Sequence, residues 1–138
     1  MDTKRVVITG MGIISPLGIG LEENWDAVSN GRSGIAPVTK FDASDLPSRI
    51  AGEVKNFNAE DWVEKKEIKK MDPFLHYALA AGQMAVEQSG LVIDDSNAER
   101  VGVLVGSGLG GLETIEKYHS ILHLVFGHRD GKLFNRTS

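Results

Sequence analysis

Two runs of branched apolar residues stand out in a chain otherwise written in helical periods. Residues 5–10, RVVITG, form a continuous β-branched run closed by glycine, the pattern of a short strand covered on both faces. Residues 101–105, in VGVLVG, repeat that pattern and predict a second buried strand. Between them, LEENWDAVSNG carries Leu21, Trp25 and Val28 on one helical stripe. Glu22 and Glu23 stand where a helix start favours negative charge, and Gly31 supplies the stop. Residues 32–48 hold the breakers Gly34, Pro37 and Pro47 and read as a connection, and residues 49–54, RIAGEV, as a short strand.

The clearest helix signal begins at Asp72-Pro73, an N-cap residue followed by proline at the first helical position, and ends at Gly90. Ala78, Ala80, Ala81, Gly82 and Ala85 leave its backbone open to close approach by another element. DDSNAER then makes a polar turn into the second predicted strand, and LETIEKYHSILHLV gives a following helix. The alternation of strand and helix predicts a layered α/β architecture. The final LVFGHRDGKLFNRTS completes neither a strand nor a capped helix.

The length of 138 residues suits one domain. A formal charge of -4 argues against a broadly basic nucleic-acid binder. The absence of cysteine excludes disulfides, thiolate zinc sites and a cysteine nucleophile within this chain. Lys4-Arg5 followed by VVITGMGIISPLGIG imitates a secretory signal, but its glycines, Pro16 and β-branched residues favour a strand, and no alanine-type cleavage site follows. No other uncharged run approaches the ~20 residues that span a bilayer, so a cytoplasmic location without membrane contact is expected.

Candidate chemistry concentrates in three places. Gly106, Gly108 and Gly111 satisfy G-x-G-x-x-G between a predicted strand and a predicted helix, the context of a phosphate-binding turn. Glu113 and Glu116, in the first turns of that helix, oppose an anion there. No acid at a strand end follows about 20 residues on, and no Lys-Ser or Lys-Thr makes a P-loop. The rival reading is a tight turn whose missing side chains leave room for an apolar group. TGMGIISPLG offers Gly10 and Gly12, but Ser15 replaces the third glycine, which favours a close-packed turn. In EKKEIKKMD, Lys65, Lys66, Lys69 and Lys70 fall on one helical face, either a solvated surface or a dock for an acidic partner. Of the histidines at 76, 119, 123 and 128, His119 and His123 share a helix face but lack a third ligand at readable spacing; no metal site is expected.

Read in order, VVITGMGIISPLG, SGI, KKMDPF, QSGLVIDD and VGVLVGSGLGGLETIE resemble the β-ketoacyl-acyl-carrier-protein synthases, most closely those of type II. The likeness covers about residues 4–122; residues 123–138 form a tail that does not match. It implies part of the first half of a thiolase-like αβαβα fold, in a usually dimeric enzyme that condenses an acyl thioester with malonyl-carrier protein in fatty-acid elongation. It further implies that Gly106, Ser107, Gly108 and Leu109 border the acyl pocket near the dimer interface, and that Lys66, Lys69 and Lys70 dock acyl carrier protein. Neither a cofactor nor nucleic acid is implied. The family's catalytic cysteine and two histidines fall beyond residue 138, so this chain is expected to be a truncated N-terminal piece without catalytic residues, inactive alone. The alternative reading is a stand-alone α/β nucleotide-binding or interaction module built on the loop 106–111.

Overall fold

The computed structural model describes residues 3–126. The element order begins with a small antiparallel hairpin, β1 (Ile14–Ser15) and β2 (Gly18–Ile19), followed by helix α1 (Leu21–Ser29). A second hairpin joins β3 (Ile35–Pro37) to β4 (Ile50–Gly52), with Ala36 opposite Ala51. The helices α2 (Lys65–Ile68), α3 (Pro73–Ser89) and α4 (Leu112–Phe126) complete the regular structure, with 3₁₀ turns at Ala59–Asp61 and Ala98–Arg100. The residues of the expected non-matching tail from 127 onward, including His128, lie outside the described residues.

Asn24 organises the first hairpin. It is buried on α1, accepts a hydrogen bond from Ser15 Oγ, and donates through Nδ2 to the carbonyls of Gly18 at 2.9 Å and Gly20 at 2.8 Å. A buried amide with all its groups engaged carries no desolvation debt, so it fixes the hairpin against α1. Glu23 adds a carboxylate that accepts from the Ile19 amide at 2.8 Å. Gly31, at φ +64, ends the helix by letting the Arg32 amide donate back to the carbonyl of Ala27.

The stripe expected to bury α1 does not do so. Asn24 and Ala27 face inward, whereas Trp25 and Val28 are exposed. The spacing is amphipathic, but among the described residues the cover for that stripe is absent. Residues 32–48, expected as a connection, contain β3. The expected strand at 49–54 forms as β4, and the tie between the two is reinforced outside the ladder, where Val38 donates to the carbonyl of Arg49.

Helix α3 follows its sequence signals. Asp72 stands at the N-cap in an extended conformation, Pro73 is the first helical residue, and Gly90 closes the helix in the left-handed region. Its small stripe receives the chain's N-terminal segment. A side chain at Gly10 would collide with the backbone carbonyl of Ala85, and one at Gly12 with that of Ala81. Met11 then donates its amide to Gln88 Oε1 at 2.7 Å. The glycines of TGMG therefore serve close packing on a helix. Phe57 meets Tyr77 edge-on, with ring centroids 4.9 Å apart, on the same helix.

The two buried strands expected at 5–10 and 101–105 do not form. No described segment pairs with either run, and their side chains lie open, with Val6 95% and Leu104 98% exposed. A strand is made by its neighbours: without a ladder to satisfy the backbone, β-branched composition alone fixes nothing. No helix among the described residues is long and apolar enough to cross a membrane.

Candidate functional site

Helix α3 begins at the meeting point of two of the segments singled out for chemistry, the lysine run and the 106–111 loop. The lysine segment precedes it directly. Lys65 and Lys66 lie in α2, Lys69 is its helical C-cap, and Lys70 follows. All four are exposed. Three of them have acidic partners: Lys65 with Glu60 at 3.1 Å, Lys66 with Glu64 at 2.6 Å, and Lys70 with Glu67 at 2.8 Å. Lys69 has no ion-pair partner among the described residues. The four-lysine face read from the spacing is thus partly neutralised by acids of the same stretch, and its open positive charge centres on Lys69.

A buried histidine fastens this segment to α3. His76 Nε2 lies 3.2 Å from the carbonyl of Ile68, the last residue of α2, and because a carbonyl only accepts, that ring nitrogen carries the proton. His76 is thus a buried residue at the junction of two helical segments. His119 and His123 lie one turn apart on α4 with ring centroids 6.4 Å apart. No group of three or more potential metal ligands occurs among the described residues.

The glycine loop reaches the other side of the same helix start. Ser107 Oγ accepts from the Gly110 amide at 2.9 Å, closing a turn in which Gly110 sits at φ +69. A Cβ at Gly110 would lie 3.9 Å from the Phe74 ring, and one at Gly111 would collide with the carboxylate of Asp72. Asp72 does not cap α3 with its side chain. Its Oδ1 instead accepts from Thr114 Oγ1 at 2.7 Å, in the first turn of α4. Leu109, at the tip of the loop, is 80% exposed, and Gly106 and Gly108 have open space where a side chain would be.

Lys66, Lys69 and Lys70 on one side, and Gly106, Ser107, Gly108 and Leu109 on the other, are therefore joined through residues 72–76. The linking residues Asp72, Phe74, His76 and Thr114 carry no motif that announces the role. Asp72 reads in the sequence as a helix cap and as part of KKMDPF, neither of which points to Thr114, its partner 42 positions away. Glu113 occupies the first turn of α4, where a carboxylate opposes an incoming phosphate.

A family profile described as "Beta-ketoacyl synthase, N-terminal domain" matches residues 3–131. The chain is 47% identical over 122 residues to a 3-oxoacyl-[acyl-carrier-protein] synthase 2 of Synechocystis sp., covering 88% of this chain and 29% of that protein. It is 48% identical over 122 residues to the protein of the same name from Vibrio harveyi, with the same coverage. Among solved structures, a beta-ketoacyl synthase from Burkholderia phymatum superposes with a TM-score of 0.69 at 31% identity, covering 99% of this chain and 32% of that one. The ishigamide ketosynthase/chain length factor gives a TM-score of 0.69 at 32% identity, over 88% of this chain and 30% of that one. The chain thus spans less than a third of the length of the relatives it matches.

Proposed function

The chain belongs to the beta-ketoacyl synthase family, with the α/β thiolase-like fold of its ketosynthase neighbours, and we propose that it supplies the N-terminal part of a decarboxylating condensing enzyme of fatty-acid elongation. The observation that carries this reading is the match to proteins named 3-oxoacyl-[acyl-carrier-protein] synthase 2 at 47–48% identity over 122 residues. The reaction joins an acyl group to the carbon freed when malonyl-carrier protein loses carbon dioxide. A thiolate must first take the acyl group as a thioester, and this chain has no cysteine to provide it. The part assigned here is reception: holding the carrier protein and shaping the acyl pocket.

Lys66, Lys69 and Lys70 receive the acidic acyl carrier protein, with Lys69 carrying most of the attraction because the other two already face carboxylates. Gly106, Ser107 and Gly108 frame Leu109, an apolar side chain on a turn narrow enough to let an acyl chain lie close to backbone. The complete enzyme is a cytoplasmic homodimer with the loop near its interface, working without a cofactor, nucleic acid or membrane.

The test is a graft. Residues 3–122 of this chain replace the corresponding segment of the Synechocystis synthase, and the product is assayed with acyl-carrier and malonyl-carrier thioesters. Condensation by the graft supports the reading. A folded graft that binds carrier protein yet makes no product at any acyl length overturns it.

A further inference from the structure

Helix α3 is gripped at its N-terminal end by both candidate segments, through side chains one turn apart. His76 holds the carbonyl of Ile68 beneath the lysines, and Asp72 holds Thr114 beneath the glycine loop. The Asp72 side chain does not cap its own helix, where the Leu75 amide donates instead to the Asp72 backbone carbonyl at 2.9 Å, and its carboxylate is spent on another element. The Asp72 carboxylate also fills the space where residue 111 would have a side chain, so the loop fits only with glycine there. Within the loop, Gly110 sits in the left-handed region and the Ser107 hydroxyl closes the turn. A turn closed by its own hydrogen bond and anchored next to a side-chain contact takes its position from that contact.

We propose that Asp72 and Thr114 form a positioning tether that couples the lysine segment to the glycine loop, so that a carrier protein seated on the lysines is sensed at residues 106–111. The carrier half of this statement rests on the docking reading above; the tether half rests on the contacts alone. Asp72 and Thr114 are positioning residues in this reading. They act by fixing where Leu109 sits relative to Lys69.

The experiment follows amide hydrogen exchange by mass spectrometry in the 138-residue chain, alone and with an acyl carrier protein at low ionic strength. Three variants accompany the parent. Thr114→Val removes the hydroxyl donor and keeps the shape, Thr114→Ser restores the donor, and Asp72→Ser keeps a good N-cap residue but is too short to reach Thr114. Without carrier, exchange over 107–112 should quicken about five- to tenfold in Thr114→Val and Asp72→Ser, the ordinary net effect of one lost hydrogen bond, since exposure takes away the advantage of the charged acceptor. It should return to the parent rate in Thr114→Ser, with residues 76–88 unchanged throughout.

With carrier, the parent should gain protection at both 65–70 and 106–112, and Thr114→Val only at 65–70. Loop protection that persists in Thr114→Val, or carrier protection at the lysines alone in the parent, overturns the coupling. Carrier protection nowhere in the parent overturns the docking reading instead, and the tether then stands or falls on the carrier-free exchange rates. Equal rates in parent and Thr114→Val overturn it.

Discussion

Gly111 has no room for a side chain because the Asp72 carboxylate lies where its Cβ would go, whereas Gly108, three positions earlier in the same motif, faces open space. The G-x-G-x-x-G pattern gives the two equal standing; the packing does not. Gly111→Ala should cost about 1–3 kcal/mol, the usual range for forcing atoms into an occupied space, while Gly108→Ala should be close to neutral. Gly10→Ala belongs with the first, since its Cβ would meet the carbonyl of Ala85. Urea titration of the three variants checks the order, and a Gly108 cost equal to that of Gly111 would remove the packing explanation. The absence of cysteine sets a chemical limit at the same scale. After incubation with an acyl-carrier thioester, intact-mass spectrometry of this chain should show no stable acyl adduct, because a hydroxyl without a base to activate it does not displace a thiolate. An adduct at a single residue would refute this.

Among the elements, those closed by local signals form where the sequence puts them. Helix α3 runs from its Asp-Pro start to its glycine stop, and α1 ends at the expected glycine. The runs at 5–10 and 101–105 had an equally clear apolar pattern and form nothing, because a strand depends on partners distant in the chain while a helix bonds to itself. The site divides the same way. The lysines and glycines were legible as composition and spacing, but the junction between Asp72 and Thr114 lies outside any local window. The lysine charge was only half legible, since Glu60, Glu64 and Glu67 were visible but their pairing was not. Lys69→Glu should therefore weaken carrier binding more than Lys65→Glu. Each exposed pair is worth only ~0.2–1 kcal/mol, so the difference should fade as salt is raised. Binding measured over a salt series decides it, and equal losses would mean a diffuse field. The β3–β4 hairpin has its own electrostatic tie. Glu53 accepts from the Thr39 hydroxyl at 2.6 Å and from the amides of Thr39 at 3.0 Å and Lys40 at 3.2 Å. The Thr39 hydroxyl first, and then its amide, hold the Glu53 carboxyl below the ordinary glutamate range. A carboxylate with a lowered folded-state pKa contributes stability above its unfolded pKa and loses it as pH falls through the folded one. Protection of the Thr39 and Lys40 amides should hold at neutral pH and disappear only below the ordinary glutamate range. Glu53→Gln should abolish this acid-dependent loss, and an unchanged profile in that variant would assign it to another group.

For the molecule as a whole, surface area is the deciding quantity. A folded monomer of this mass exposes about 7,000 Å² by the usual scaling, and this chain exposes 12252 Å². Among the described residues the buried apolar ones are Ala27, Val63 and Ala80, none of them large, while Val103, Leu104 and Val105 lie open in one run and Val6, Val7 and Ile8 in another. In the ketosynthase neighbours this chain superposes on about 30–32% of the length, so surface open here has far more chain available to cover it there. Left alone in water, two unpaired β-branched runs are templates for pairing with further copies. The 138-residue chain should therefore sediment as a concentration-dependent mixture larger than monomer, and should unfold over a broad range. Leu104→Lys and Val7→Lys place charge on the open runs without touching the packing of α3, and together they should shift the mixture toward monomer while leaving helix content unchanged. Sedimentation velocity and far-ultraviolet circular dichroism on parent and double variant test both halves. A parent that stays monomeric and unfolds in one sharp transition would show that the contacts around Asn24, His76 and the Gly10–Gly12 seat on α3 suffice by themselves, and that the open runs are an exposed surface the chain tolerates.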